Sequence, residues 1–216
     1  YLSNIADPSS RVLDLSLPVG TIAGTGEVSL SGAATYNIPI FSPPGTANFK
    51  PDISISYNSQ SGLGLLGIGW NISGVSAITR VNQTFYQDGV PKEIDFSFND
   101  KYALDGNRLI LITGNYGANG SIYGTEQEVF SQIISHGTIG DGPEWFEVKT
   151  KDGRIIEYGR LPDSRLNPIG TSTILSWYVN KITDANGNYI LYKYNDVVDG
   201  ERVIASIEYT GNAKTG

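Results

Sequence analysis

The sequence predicts an all-β protein of many short antiparallel strands joined by glycine-rich turns, and two observations carry that reading. Apolar and polar residues alternate with a period of two wherever a pattern can be read, which sends successive side chains to opposite faces of a strand. The 216 residues also include 26 glycines and 13 tyrosines but only 17% charged residues, a mixture that suits strands linked by tight turns. Helical spacing shows only weakly, at residues 126–134, where Val129, Phe130, Ile133 and Ile134 favour a strand instead.

Taken in order, residues 1–20, with Asp7-Pro8-Ser9-Ser10, read as a lead-in segment. Tyr36, Ile38 and Ile40 share one strand face, and Ile53, Ile55 and Tyr57 share another. Between them Ser42-Pro43-Pro44-Gly45-Thr46 must bend or extend outside a ladder, because its prolines have no amide to donate. Ile94, Phe96 and Phe98 alternate with acidic and serine partners, as do Ile190, Tyr192 and Tyr194 with their neighbours, and Val203, Ala205, Ile207 and Tyr209 near the end. Asp88-Gly89, Asp105-Gly106, Asp152-Gly153 and Asn186-Gly187 are hairpin-type dipeptides that tolerate positive φ. Residues 163–173, with Pro168, read as an exposed loop. A weak internal echo places a tyrosine five residues after a turn glycine twice, Gly153 to Tyr158 and Gly187 to Tyr192; two copies fall short of a repeat.

Composition narrows the function classes. A net charge of -7 with 15 scattered basic residues argues against a nucleic-acid partner, which needs clustered Lys and Arg. With no cysteine there is neither a disulfide framework nor a thiolate metal site. No apolar run approaches the roughly 18 residues that would span a bilayer, and no signal-peptide pattern opens the chain. The chain starts at Tyr1 and lacks methionine, so it reads as part of a larger protein.

Candidate chemistry fares poorly against structural alternatives. Glu126-Gln127-Glu128 has the spacing of the ADP-ribosyltransferase Glu pair, but that chemistry needs an upstream Arg and a Ser-Thr-Ser strand, and the only similar fragment, Thr171-Ser172-Thr173, follows it as a loop. His136 is the only histidine; it lies in a turn-like Ser135-His136-Gly137, no nucleophile elbow accompanies it, and the reading is an exposed loop imidazole. Asp184-Ala185-Asn186-Gly187-Asn188 starts like a calcium loop but has Tyr189 where the turn glycine belongs, so a β-turn accounts for it better. Residues 62–70 contain a Gly-x-Gly-x-x-Gly string without a helix to follow; they read as a glycine-dense connection with Trp70 as its packing anchor. The tyrosines fit a sugar-stacking surface, a shell lining or strand-pair packing, and their alternation favours packing. No catalytic, cofactor-binding or metal-binding residue is assigned.

Residues 30–80 resemble a known pattern. Gly32-Ala33-Ala34-Thr35-Tyr36, Pro43-Pro44-Gly45 with Pro51, Ser56-Tyr57-Asn58-Ser59 with Gly62, Gly64, Gly67, Gly69 and Trp70, and Ser76-Ala77-Ile78-Thr79-Arg80 together are similar to the N-terminal domain of SpvB-type virulence proteins and of the B subunits of bacterial insecticidal toxin complexes. Residues 102–109, 125–130 and 146–158 look like further landmarks of that family, and residues 177–194 are similar to YD-repeat (Rhs) units. The resemblance implies a lead-in segment at 1–20, an N-terminal β domain at 21–160, and a loop with the first YD-like strands at 161–216. It also implies a secreted or surface-located, non-catalytic scaffold that helps build a β-shell around a C-terminal effector. Its partners would be the rest of its own polypeptide or other toxin-complex subunits. A surface adhesion or carbohydrate-binding module is the alternative.

Overall fold

The computed structural model describes residues 23–196 and 202–214, so the expected lead-in segment at 1–20 lies outside the described residues. The strands are β1 (Thr25–Val28), β2 (Ala34–Pro39), β3 (Ser54–Asn58), β4 (Leu63–Gly64), β5 (Gly67–Ile68), β6 (Trp70–Ser73), β7 (Ala77–Val81), β8 (Lys101–Leu104) and β9 (Asn107–Thr113). They continue with β10 (Ile122–Thr125), β11 (Gln132–His136), β12 (Trp145–Lys149), β13 (Ile155–Tyr158), β14 (Arg165–Leu166), β15 (Ser176–Thr183), β16 (Asn188–Asp196) and β17 (Arg202–Asn212). One α-helical turn, α1 (Phe85–Asp88), and two 3-10 turns, Thr46–Asn48 and Pro162–Ser164, interrupt them.

The chain divides into two compact units. The smaller takes the residues up to Pro39 together with Ile55–Asn71. Here β1, β2, β3 and β6 follow one another in a four-stranded sheet, and β4 and β5 form a small hairpin. The glycine-dense connection is what its sequence suggests. A Cβ on Gly64 would stand 2.2 Å from the carbonyl oxygen of Trp70, and Gly69 takes φ 77°, so backbone lies against backbone there. Trp70 anchors it by packing on Tyr57, ring centroids 5.0 Å apart.

The larger unit, Ile40–Ser54 with Ile72–Gly216, holds the core. Strands β7 to β13 run as an antiparallel meander, each paired with the next. β15 closes the ring, pairing with β7 through residues 176–178 and with β13 through residues 179–183. Eight strands thus form a closed antiparallel barrel, a ring just wide enough for side chains to fill. Alternate residues point inward and are buried: Ile78 on β7, Tyr102 on β8, Ile133 on β11, Phe146 and Val148 on β12, Trp177 and Val179 on β15. Trp177 lies edge-on to Phe146 at 5.0 Å and to Tyr102 at 5.4 Å. Such aromatic pairs contribute about 0.5–1.5 kcal/mol each beyond their burial. Asp105-Gly106, Asp152-Gly153 and Asn186-Gly187 turn the chain between β8 and β9, β12 and β13, and β15 and β16 as expected. The echo also has a structural counterpart: Tyr158 on β13 and Tyr192 on β16 are both buried, on the two strands that pair with the later half of β15.

Four local expectations are corrected. Ile94, Phe96 and Phe98 lie outside any strand, and Phe96 has φ 59°. Carboxylates capture the amides there: Asp95 accepts from the Ser97 amide at 3.2 Å and hydroxyl at 2.6 Å, and Asp100 accepts from the Asp95 amide at 3.2 Å. Residues 126–131 are likewise loop rather than strand, with Phe130 at φ 56° and the Glu128 carboxylate accepting the Phe130 amide at 2.5 Å; only Gln132 onward joins β11. Asp88-Gly89 ends α1 instead of turning a hairpin. Thr84 caps the helix start, Gly89 the end at φ 76°, and Asp88 makes a bidentate ion pair with Arg108 of β9 at 2.6 Å. Residues 163–173 are not simply an exposed loop, since Ser164, Arg165 and Thr173 are buried and β14 pairs with β15.

Candidate functional site

One end of the barrel is sealed by a charge. Arg80 stands two residues after Ile78 on β7, on the same face, and so points into the interior, its side chain wholly buried. Its guanidinium donates to the Ile174 carbonyl at 2.7 Å, the Ser97 carbonyl at 2.9 Å, the Asp141 carbonyl at 2.7 Å and the Asp100 carboxylate at 3.0 Å. It also lies 5.5 Å from the Tyr102 ring centre and 5.9 Å from that of Trp177. A cation this dry stays folded only because its donors are used and its counter-ion is beside it. Arg80 therefore ties β7 to three separate loops. Burial raises the Tyr102 and Tyr116 hydroxyls far above the ordinary tyrosine value, so both are neutral packing groups.

The sheet does not stop at the barrel. β15 pairs with β7 and β14 near its start and with β13 and β16 further along, so it is a branch point. From it the β16–β17 hairpin carries the sheet outward. Tyr194 pins the hairpin to the branch, donating its hydroxyl to the Val179 carbonyl at 2.7 Å and its amide to Asp163 at 3.2 Å. Burial pushes the Tyr192 hydroxyl up to about 12. Two register shifts along β16 bend the ribbon. Among the described strands β17, 11 residues long, bonds only to β16, so it is an edge. Beside it lies a groove of about 450 Å³ lined by Ile204, Ile207 and Tyr209 against Ile40, Pro43 and Ile53, with the Tyr209 hydroxyl donating to the Pro43 carbonyl at 3.0 Å.

The residues weighed for chemistry take structural places. Glu126 to Glu128 sit in the loop before β11, with Gln127 donating its amide to Asn107 at 3.0 Å. His136 corrects the exposed-loop reading: it closes β11, half-buried, with its ring stacked on Trp145 at 4.0 Å. Arg160 lies 4.7 Å from the same indole. Burial lowers the His136 pKa, with Arg160 and Lys149 acting in the same direction against Glu147. In the 184–188 turn both Asp184 oxygens are used locally, one by the Asn186 and Asn188 amides at 2.9 and 2.8 Å, the other by the Asn188 side chain at 2.8 Å. Among the described residues no group of three or more His, Cys, Asp or Glu is placed to hold a metal ion. No helix among them is long and apolar enough to cross a membrane. Sequence reasoning missed the seal, and expected an edge at the ends of the scaffold without placing it on a strand. Arg80 did carry a signal, as a charge in phase with Ile78 on its strand.

An aromatic-filled antiparallel barrel with a sheet branching from one of its staves has the build of a structural β domain. The family model of the Salmonella virulence plasmid 65kDa B protein, SpvB, matches residues 28–210, and this chain belongs to that family. No curated protein matches the sequence at a significant level. Among solved structures the chain is similar to the TcdB2-TccC3 crystal structure, at 20% identity and a TM-score of 0.70, over 92% of this chain and 11% of that one. It is similar to the N-terminal domain of effector protein SpvB from Salmonella typhimurium strain LT2, at 19% identity and a TM-score of 0.60, over 74% and 59% of the two chains. It is also similar to the Photorhabdus luminescens Tc holotoxin pore carrying the TccC3-D651A mutation, at 18% identity and a TM-score of 0.65, over 94% and 11%. The fold is therefore shared, while this chain spans about a tenth of the toxin-complex chains it matches.

Proposed function

We propose that this chain is a non-catalytic scaffold domain of a secreted bacterial toxin-related protein, whose open edge seeds a larger β-shell that encloses or presents an effector. The carrying observation is the branch at β15: the barrel is complete without β16 and β17, yet they extend its sheet into an edge of 11 residues flanked by an apolar groove. An edge of that length, open among the described strands, is a template for another strand. The segment similar to a YD unit, residues 177–194, is the β15–β16 hairpin that makes the extension. Its partners are then further strands of its own polypeptide or other toxin-complex subunits, with no nucleic acid. The inward-facing tyrosines favour this reading over sugar binding.

The reading frame that encodes the chain tests this, together with two assays on the protein. Tandem YD units beyond Gly216, no NAD cleavage, and slower amide exchange along β17 in the longer product than in the isolated chain are expected. A frame that closes without such units would overturn the reading. So would β17 amides equally unprotected in both products, or NAD turnover by the isolated chain.

A further inference from the structure

The tip of the small unit carries a feature the scaffold role does not use. From residue 53 through residue 79 no side chain is charged; the run is flanked by Asp52 and Arg80. Its middle is the β4–β5 hairpin, where Leu63 and Ile68 are cross-strand partners and are 85% and 78% exposed. Leu65 and Leu66, in the turn between them, are also exposed. Four aliphatic side chains thus project from one hairpin tip.

We propose that this hairpin is a lipid-contacting tip that dips into the surface of an electrically neutral bilayer. Three observations favour lipid over a protein partner. The tip backbone is internally bonded, with the Gly69 amide on the Gly62 carbonyl at 2.9 Å and the Leu66 amide on the Trp70 carbonyl at 3.3 Å, in addition to the Leu63–Ile68 and Gly64–Gly67 pairs. Entry into hydrocarbon therefore strands few amides. Trp70 and Tyr57, packed at a 43° tilt with ring centroids 5.0 Å apart, lie at its base, and amphipathic rings are enriched at headgroup depth. The exposed residues are Leu and Ile without Arg or a charged rim, whereas protein hot spots favour Trp, Tyr and Arg and are poor in Leu. Neutral headgroups follow from a chain of net charge -7 whose tip has no cation to attract an anionic surface.

Flotation of the 216-residue chain with phosphatidylcholine vesicles tests the proposal. The chain is expected to float with the vesicles, and brominated acyl chains to quench tryptophan fluorescence in a way that Trp70→Phe removes. Leu63→Asp with Ile68→Asp should lower partitioning more than about tenfold, because a charge at bilayer depth is costly. Both side chains are exposed, so the double variant should keep the unfolding midpoint of the parent. Phe41→Asp, 83% exposed on the other unit, should bind like the parent. Failure to float, equal binding by the double variant, or self-association through the tip in place of vesicle binding would overturn it.

Discussion

Replacing Arg80 by Met should be among the most damaging single changes in this protein. The perturbation removes the guanidinium and keeps most of the side-chain volume. Asp100, 2% exposed, then loses the counter-ion 3.0 Å away, and the carbonyls of Ile174, Ser97 and Asp141 each lose a donor. Breaking a buried ion pair from one side costs about 3–5 kcal/mol. Carbonyls left without donors add about 1 kcal/mol each where water cannot reach them, and the better transfer of Met into the core offsets part of that. A net loss of about 4 kcal/mol is expected from a total of roughly 5–15 kcal/mol, which corresponds to a fall in Tm of about 8–16 °C. Asp100→Asn should also cost about 3–5 kcal/mol, because it leaves the buried guanidinium of Arg80 without its counter-ion. The double variant should be less destabilised than the sum of the singles by about 1–3 kcal/mol, since no lone charge is left inside. Urea unfolding followed by tryptophan fluorescence measures all four proteins, with Trp177 reporting from the barrel interior. An Arg80→Met protein within about 1 kcal/mol of the parent, or strictly additive singles, would refute the claim that this charge seals the barrel.

Two further outcomes are expected. Gly74→Ala should destabilise by more than about 2 kcal/mol, because Gly74 has φ 90° and the new Cβ would stand 2.0 Å from the Asp52 carbonyl oxygen. Gly106→Ala, at φ 81° with open space around it, should show only the strain of about 1–2 kcal/mol, and equal losses at the two sites in urea titrations would contradict the packing argument. The third expectation concerns pH. Burial lowers the folded pKa of His136 below its unfolded value of about 6.5, so the unfolded chain takes up the proton first as pH falls. The neutral ring's contribution is complete above that pH and is lost on acidification toward the folded pKa. His136→Phe, which keeps a ring against Trp145, should flatten the dependence of the urea midpoint between about pH 8 and pH 5; an unchanged slope would assign it to other groups.

Much of this architecture was legible in the chain. Alternation found β2, β3, β16 and β17, and the dipeptides at 105–106, 152–153 and 186–187 found three hairpins, because both signals act between near neighbours. The errors have one physical cause. At Ile94, Phe96 and Phe98 the pattern was right for a strand, but Asp95 and Asp100 offered the amides nearer acceptors than any ladder. At Asp88-Gly89 the turn chemistry was right, but a distant Arg108 held the carboxylate and the turn became a helix end. His136 looked like part of a turn because its partner on the indole face, Trp145, comes from the next strand. The candidate site was less legible still, since no residue marks an edge; being an edge is a property of what fails to pair.

By itself, then, the sequence determined that this chain is made of strands, that most of its tyrosines sit in alternating runs that favour packing, and that residues 32–80 carry a family pattern. Tertiary structure alone decided that β15 meets both β7 and β13 and closes a barrel, that Arg80 turns inward to seal it, and that β17 is an edge among the described strands. The reason is range. Propensity, alternation and turn chemistry operate over a few residues, while closure pairs Trp177 with Ile78 across about a hundred positions, and such a pairing becomes favourable only once the whole interior is filled.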